Sequence, residues 1–128
     1  MAETAETEKT ESEKKSMKKE GGVMEIVYFE SSSIDLTSEK HSRTVLRGTN
    51  GARMGFTLVT EESYGREESH EDQEGLLFIE GEGKALLDGV EYDIRPQTCV
   101  LMPAHTRHCF KRNPGSGIIK LFWFHAAN

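Results

Sequence analysis

Short segments in which apolar and polar residues alternate, separated by turn residues, occupy most of the chain. In residues 90–94, apolar side chains alternate with acidic ones, which predicts a strand with one buried face and one solvent-exposed face. Asp88-Gly89, directly before this strand, is a strong signal for a tight hairpin. Further strands are predicted at 24–30, 53–60, 75–80, 84–87, 98–102, 107–111 and 117–126. Short strands spaced about ten residues apart are typical of an all-β sandwich or barrel.

The first 22 residues differ from the rest because they contain almost no apolar side chains. Six glutamates and five lysines leave this segment highly charged, so it cannot bury enough apolar surface to offset the entropy of ordering. We expect residues 1–22 to be a flexible charged arm, disordered or at best a fraying helix, and residues 23–128 to be one globular domain. The arm could be a docking segment or a solubilising tail, and we expect it to be dispensable.

The overall composition excludes several classes of function. The formal charge is −6, from 16 basic and 22 acidic residues, which gives no electrostatic footprint for nucleic acid or for an anionic membrane surface. The apolar runs are too short for a membrane span, and the first residues do not resemble a secretory signal. Two cysteines do not make a disulfide framework, so we expect a cytoplasmic, reducing environment.

Two polar clusters carry the candidate chemistry. Residues 67–74 read EESHEDQE, and residues 103–108 read PAHTRH. Taken alone, the first cluster could be a solvated loop beside a hairpin, and each histidine of the second could be a polar strand residue.

The order and spacing of these clusters resemble the two sequence motifs of the cupin family. His70 and Glu74 fit the second histidine and the glutamate of the first motif, and Gly81 fits its closing glycine. Pro103 and His108 fit the second motif. The resemblance, which extends over roughly residues 53–125, implies a cupin jelly-roll β-barrel, also called a double-stranded β-helix.

The same resemblance implies a metal site. Its ligands would be His70, Glu74 and His108, with Glu68 as a possible fourth because it stands where the family has its first histidine. Two histidines and one carboxylate with open positions suit Fe(II), and Mn, Ni or Zn are also feasible, so we expect a divalent transition metal. The alternative is a cupin that has lost its metal.

Within the cupins, three segments look like ectoine synthase, a lyase that holds iron with glutamate, tyrosine and histidine. Glu74 and His108 match two of these ligands, but Val100 stands in place of the tyrosine. The matching segments are Arg53–Thr57, Phe78–Gly83 and His105–His108.

We therefore predict a metal-binding cupin that acts on a small molecule, either as a metal-dependent enzyme or as a non-catalytic ligand-binding or sensor module. We also predict a homodimer, because the final strand, 117–126, carries apolar side chains on both faces and an edge strand of this kind needs cover. Symmetric pairing is the commonest way to provide that cover.

Overall fold

The computed structural model describes residues 13–37 and 41–126, which belong to two compact units divided between Lys40 and His41. The first unit contains strand β1, Glu13–Lys19, strand β2, Gly22–Tyr28, and a short 3-10 helix, Ser31–Ser33. The strand at 24–30 that we predict as part of the larger domain thus groups with the residues before it.

Strand β1 corrects the prediction of disorder or a fraying helix for the part of the arm that the structure describes. It pairs antiparallel with β2 along its full length, and Gly21 takes the positive φ of 94° that the connecting turn requires. Contacts between the two strands explain why this charged segment forms a strand. Lys14 pairs with Glu25 at 3.2 Å, and the Lys15 ammonium lies 5.6 Å from the centre of the Tyr28 ring. Residues 1–12 lie outside the described part of the chain.

The second unit consists of two antiparallel sheets, and the described residues include no α-helix and no helix able to cross a membrane. The strands are β3 Ser42–Arg47, β4 Arg53–Val59, β5 Glu74–Glu80, β6 Gly83–Leu87, β7 Val90–Ile94, β8 Cys99–Met102, β9 His108–Arg112 and β10 Ile119–His125. The five-stranded sheet has the order β3-β4-β10-β5-β8, and the three-stranded sheet has the order β9-β6-β7. The all-β prediction is confirmed.

The tight hairpin predicted at Asp88-Gly89 joins β6 to β7. Both residues have positive φ, 49° and 84°, which is the conformation of a type I′ turn. The hydrophobic core forms between inward-facing residues of both sheets, and its largest fully buried side chains are Phe78, Ile119 and Leu121.

The position of β10 corrects one premise of the sequence analysis. We expected the last strand to be an edge strand, but β10 is paired on both sides, with β4 and with β5. Its two apolar faces are those of a central strand, one packed in the core and the other partly exposed. The edges of this sheet are β3 and β8.

Candidate metal centre

Four ionisable side chains meet where strands from both sheets begin or end. Glu74 is the first residue of β5, and His125, the last residue of β10, lies directly opposite it in the strand register. His108 is the first residue of β9 in the other sheet. His70 comes from the loop that leads into β5. The alternation of β10 brings His125 to the site, since it shares a face with Leu121 and Trp123.

Glu74 lies at the centre of this group. Its Oε1 atom is 3.6 Å from Nε2 of His70 and 3.7 Å from Nε2 of His108. One ligand atom from each of these three residues lies within 4.8 Å of the other two. Glu74 and His108 are both 7% exposed, whereas His70 is half-buried and forms the more open side of the site. The structure therefore brings together three of the four predicted ligands.

Glu68, the fourth, is placed differently. It forms an isolated antiparallel bridge to His108, in which each backbone N–H donates to the other residue's carbonyl oxygen, at 3.0 and 2.8 Å. Its side chain is exposed, and among the described residues it does not join the group of converging ligand atoms. A direct role for Glu68 as a ligand stays a prediction.

The hydrogen bond of His108 determines which of its ring nitrogens carries a hydrogen. Nδ1 lies 2.9 Å from the carbonyl oxygen of Thr106, and because a carbonyl only accepts, Nδ1 carries the hydrogen. In the neutral imidazole, Nε2 then presents a lone pair to the carboxylate. This is the state in which histidine binds metals.

A second chain of contacts lies behind Glu74. His125 Nδ1 is 2.7 Å from Asp72 Oδ1, and His125 Nε2 is 3.5 Å from Glu74 Oε2. Arg53 donates from Nη1 to Asp72 Oδ2 at 3.2 Å, which anchors the aspartate from its other side. His125 is not among the ligands predicted from the sequence, although the two-residue period of the last strand could have indicated it.

The burial of the site shifts the ionisation of its members. Burial, with the nearby Asp72 charge, raises the pKa of Glu74 from 4.5 to about 7. Burial, together with His108 and His125, lowers the pKa of His70 and favours its neutral form. Burial alone would raise the pKa of Asp72, but the hydrogen bond from His125 and the Arg53 charge lower it overall.

Comparisons with known proteins agree with this architecture. The family model described as a cupin domain matches residues 56–125, which is more than half of the chain. A comparison with curated protein sequences gives no match.

Among solved structures, the Schizosaccharomyces pombe Cnp3 cupin domain has a TM-score of 0.73 at 10% identity and covers 91% of this chain and 84% of its own. The structure of FeII HppE in complex with substrate has a TM-score of 0.60 at 18% identity and covers 66% of this chain. This chain spans about half of that protein, 52% of its length.

An RmlC-like cupin from Methanocaldococcus jannaschii with a double-stranded β-helix fold has a TM-score of 0.56 at 16% identity, covering 69% of this chain and 82% of its own. At these identities the structural matches establish the fold, and the predicted jelly roll is confirmed. The family match over residues 56–125, more than half of the chain, shows that this chain belongs to the cupin family.

Proposed function

We propose that this protein is a metal-binding cupin that uses a divalent transition metal to act on a small-molecule substrate. One observation carries the proposal. Among the described residues, the buried Oε1 of Glu74 has no hydrogen-bond partner, although it lies between the Nε2 atoms of His70 and His108. An unpaired buried carboxylate oxygen is costly, and a cation held by the three residues would satisfy it.

The donor set supports the same conclusion. In its neutral form His108 has a bare Nε2, because Nδ1 carries the hydrogen, and burial favours the neutral form of His70, so both imidazoles can serve as ligands. Two histidines and one carboxylate suit Fe(II), and imidazole also suits Ni and Zn, while carboxylate suits Mn. HppE, which shares the fold, is described as an Fe(II) protein bound to its substrate. The metal proposed for this chain rests on the chain's own residues and not on the iron of HppE.

An enzymatic role is favoured by the uneven burial of the site. Glu74 and His108 are enclosed, while the half-buried His70 leaves one side open to a ligand. A metal held here would supply a Lewis acid for a substrate oxygen. The protein's own part is to exclude water on the closed side and to keep Glu74 between the two imidazoles.

Metal analysis of untagged protein, followed by titration with Fe(II), Ni(II) and Zn(II), tests the metal site. We expect one ion per chain in the wild type and loss of binding in His108→Asn, which removes a ligand supplied by the other sheet. The matched control is His105→Asn, because His105 is exposed and its φ of 69° is one that asparagine tolerates. Equal binding by wild type and His108→Asn would refute the metal site.

Turnover tests on the metal-loaded protein distinguish the two roles left open by the sequence. Metal binding without conversion of any candidate substrate would favour the non-catalytic ligand-binding or sensor cupin. The ectoine-synthase-like lyase is the less supported enzyme, because Val100, in place of the tyrosine ligand, packs against the hydrophobic core.

We also propose a homodimer, on different grounds from the edge-strand argument. Met54, Phe124, Gly75 and Leu101 form one cross-strand row on the outer face of the five-stranded sheet. The three side chains in this row are 39%, 40% and 66% exposed, and an apolar surface of this kind favours association. Light scattering should give twice the chain mass for the wild type and a lower mass for Leu101→Lys. A monomeric wild type at micromolar concentration would refute the dimer.

A further inference from the structure

The second oxygen of the Glu74 carboxylate faces a histidine outside the predicted ligand set. Oε2 lies 3.5 Å from Nε2 of His125, while Oε1 faces His70 and His108. His125 is 5% exposed. The carboxylate is therefore surrounded by three imidazole nitrogens.

The hydrogen bonding of His125 determines which nitrogen it presents to Glu74. Asp72 Oδ1 lies 2.7 Å from Nδ1, and because a carboxylate only accepts, the hydrogen is on Nδ1. Arg53 Nη2 is also 3.2 Å from Nδ1, but a guanidinium only donates, so its hydrogen-bonding role is to hold Asp72. In the neutral form of the ring, Nε2 of His125 then directs its lone pair at Glu74.

When the carboxylate is ionised, two acceptor atoms face each other in a buried site, and a proton or a metal cation between them removes the repulsion. A histidine whose Nδ1–H is held by a carboxylate, with Nε2 free, has the arrangement that metal-binding histidines adopt. His108 shows the same arrangement, with the Thr106 carbonyl in place of a carboxylate. The two residues are thus prepared in the same way.

His125 lies outside the group of ligand atoms that come within 4.8 Å of one another, but its ring packs directly against a member of that group. The His70 ring is close to both other rings, with its centroid 5.2 Å from that of His108 and 4.8 Å from that of His125. The Trp123 ring packs edge-on against His125 at 5.5 Å and helps to fix its orientation.

We propose that His125 is the fourth protein ligand of the metal, completing a set of three histidines and Glu74, and that Glu68 is not a ligand. This inference rests on the proposed metal-binding function. The first cupin motif has a histidine at the position where this chain has Glu68. In this proposal, His125 on strand β10 supplies the missing imidazole nitrogen, and Asp72 is the positioning residue of His125.

X-ray absorption spectroscopy of the Ni(II)-loaded protein tests the proposal, because the outer-shell scattering counts the bound imidazoles. We expect three imidazoles in the wild type, two in His125→Gln, and in the control Glu68→Gln a spectrum identical to that of the wild type, since Glu68 is not a ligand. The wild-type count needs no variant, so it remains decisive if His125→Gln fails to fold. Two imidazoles in the wild type would overturn the proposal and leave the proposed metal site intact. A wild type that binds no Ni(II) at all would overturn both.

Ni(II) affinity provides a second readout. Asp72→Asn keeps the His125 imidazole but weakens its support, so we expect a loss of roughly 10–100-fold, as for other partners of ligating histidines. His125→Gln should cost more than that. An affinity loss in His125→Gln no larger than in Asp72→Asn would contradict the assignment of His125 as a ligand.

Discussion

Replacing Glu74 by glutamine should stabilise the metal-free protein at alkaline pH. The substitution keeps the size of the side chain but removes a charge that the folded protein accommodates poorly. Burial raises the pKa of Glu74 from 4.5 to about 7, so the folded state holds this proton more tightly than the unfolded state does. The stability that the protonated carboxyl supports is present below about pH 4.5 and is lost as the pH rises towards 7.

The size of the effect follows from the same values. Each pH unit between the two pKa values corresponds to about 1.4 kcal/mol, so ionisation of Glu74 destabilises the fold by up to about 3 kcal/mol. Glutamine does not titrate. The free energies of unfolding of wild type and Glu74→Gln should therefore lie close together at pH 5 and diverge by up to about 3 kcal/mol at pH 8, with the variant more stable.

Urea denaturation of chelator-treated protein at several pH values between 5 and 8.5 measures this difference. Added Ni(II) should reverse the order at pH 8, because only the wild type keeps the Glu74 ligand and gains binding energy. A stability difference that stays constant with pH in the metal-free proteins would refute the reasoning.

Three further predictions concern other parts of the molecule. Phe78→Ala should cost about 3–5 kcal/mol in urea denaturation because the ring is fully buried, whereas Ile79→Ala, at a position 37% exposed, should cost much less; similar losses would contradict the assigned faces of β5. Trypsin should cut the exposed strand β1 after its lysines while the second unit survives, since a two-stranded hairpin is marginally stable; a fully protected β1 would show that it packs against something else. Gly83→Val should prevent folding or cost several kcal/mol because its Cβ would collide with the backbone of β9, and Gly117→Val, with open space around it, should be tolerated.

Local patterns predicted those parts of the fold that depend on neighbouring residues. The strand at 90–94 and the turn at Asp88-Gly89 follow from alternation and from the positive φ that the turn needs. Strand order depends on residues that are distant in the sequence. The two apolar faces of β10 therefore led us to predict an edge strand, whereas β10 is a central strand in the structure. Strand β1 was missed because its stability comes from contacts with β2, which its own composition does not reveal.

The site shows the same division. The spacing of the cupin motifs identified His70, Glu74 and His108 as residues that lie together, because the order of these motifs reflects which side chains converge in the fold. His125 was missed because it carries no motif and reaches Glu74 only through the pairing of β10 with β5. The roles of Asp72 and Arg53 can be recognised only after His125 is placed, because Asp72 contacts His125 and Arg53 holds Asp72.

The site also joins the two sheets of the second unit. Glu74 and His125 belong to the five-stranded sheet, while His108 begins a strand of the three-stranded sheet. An ion bound by Glu74, His125 and His108 would link the two sheets, so that the sheets could not separate without releasing the ion. In hydrogen exchange, Ni(II) should therefore slow the amides at the start of β9 and at the end of β10 together, and the two sheets should open as a single unit.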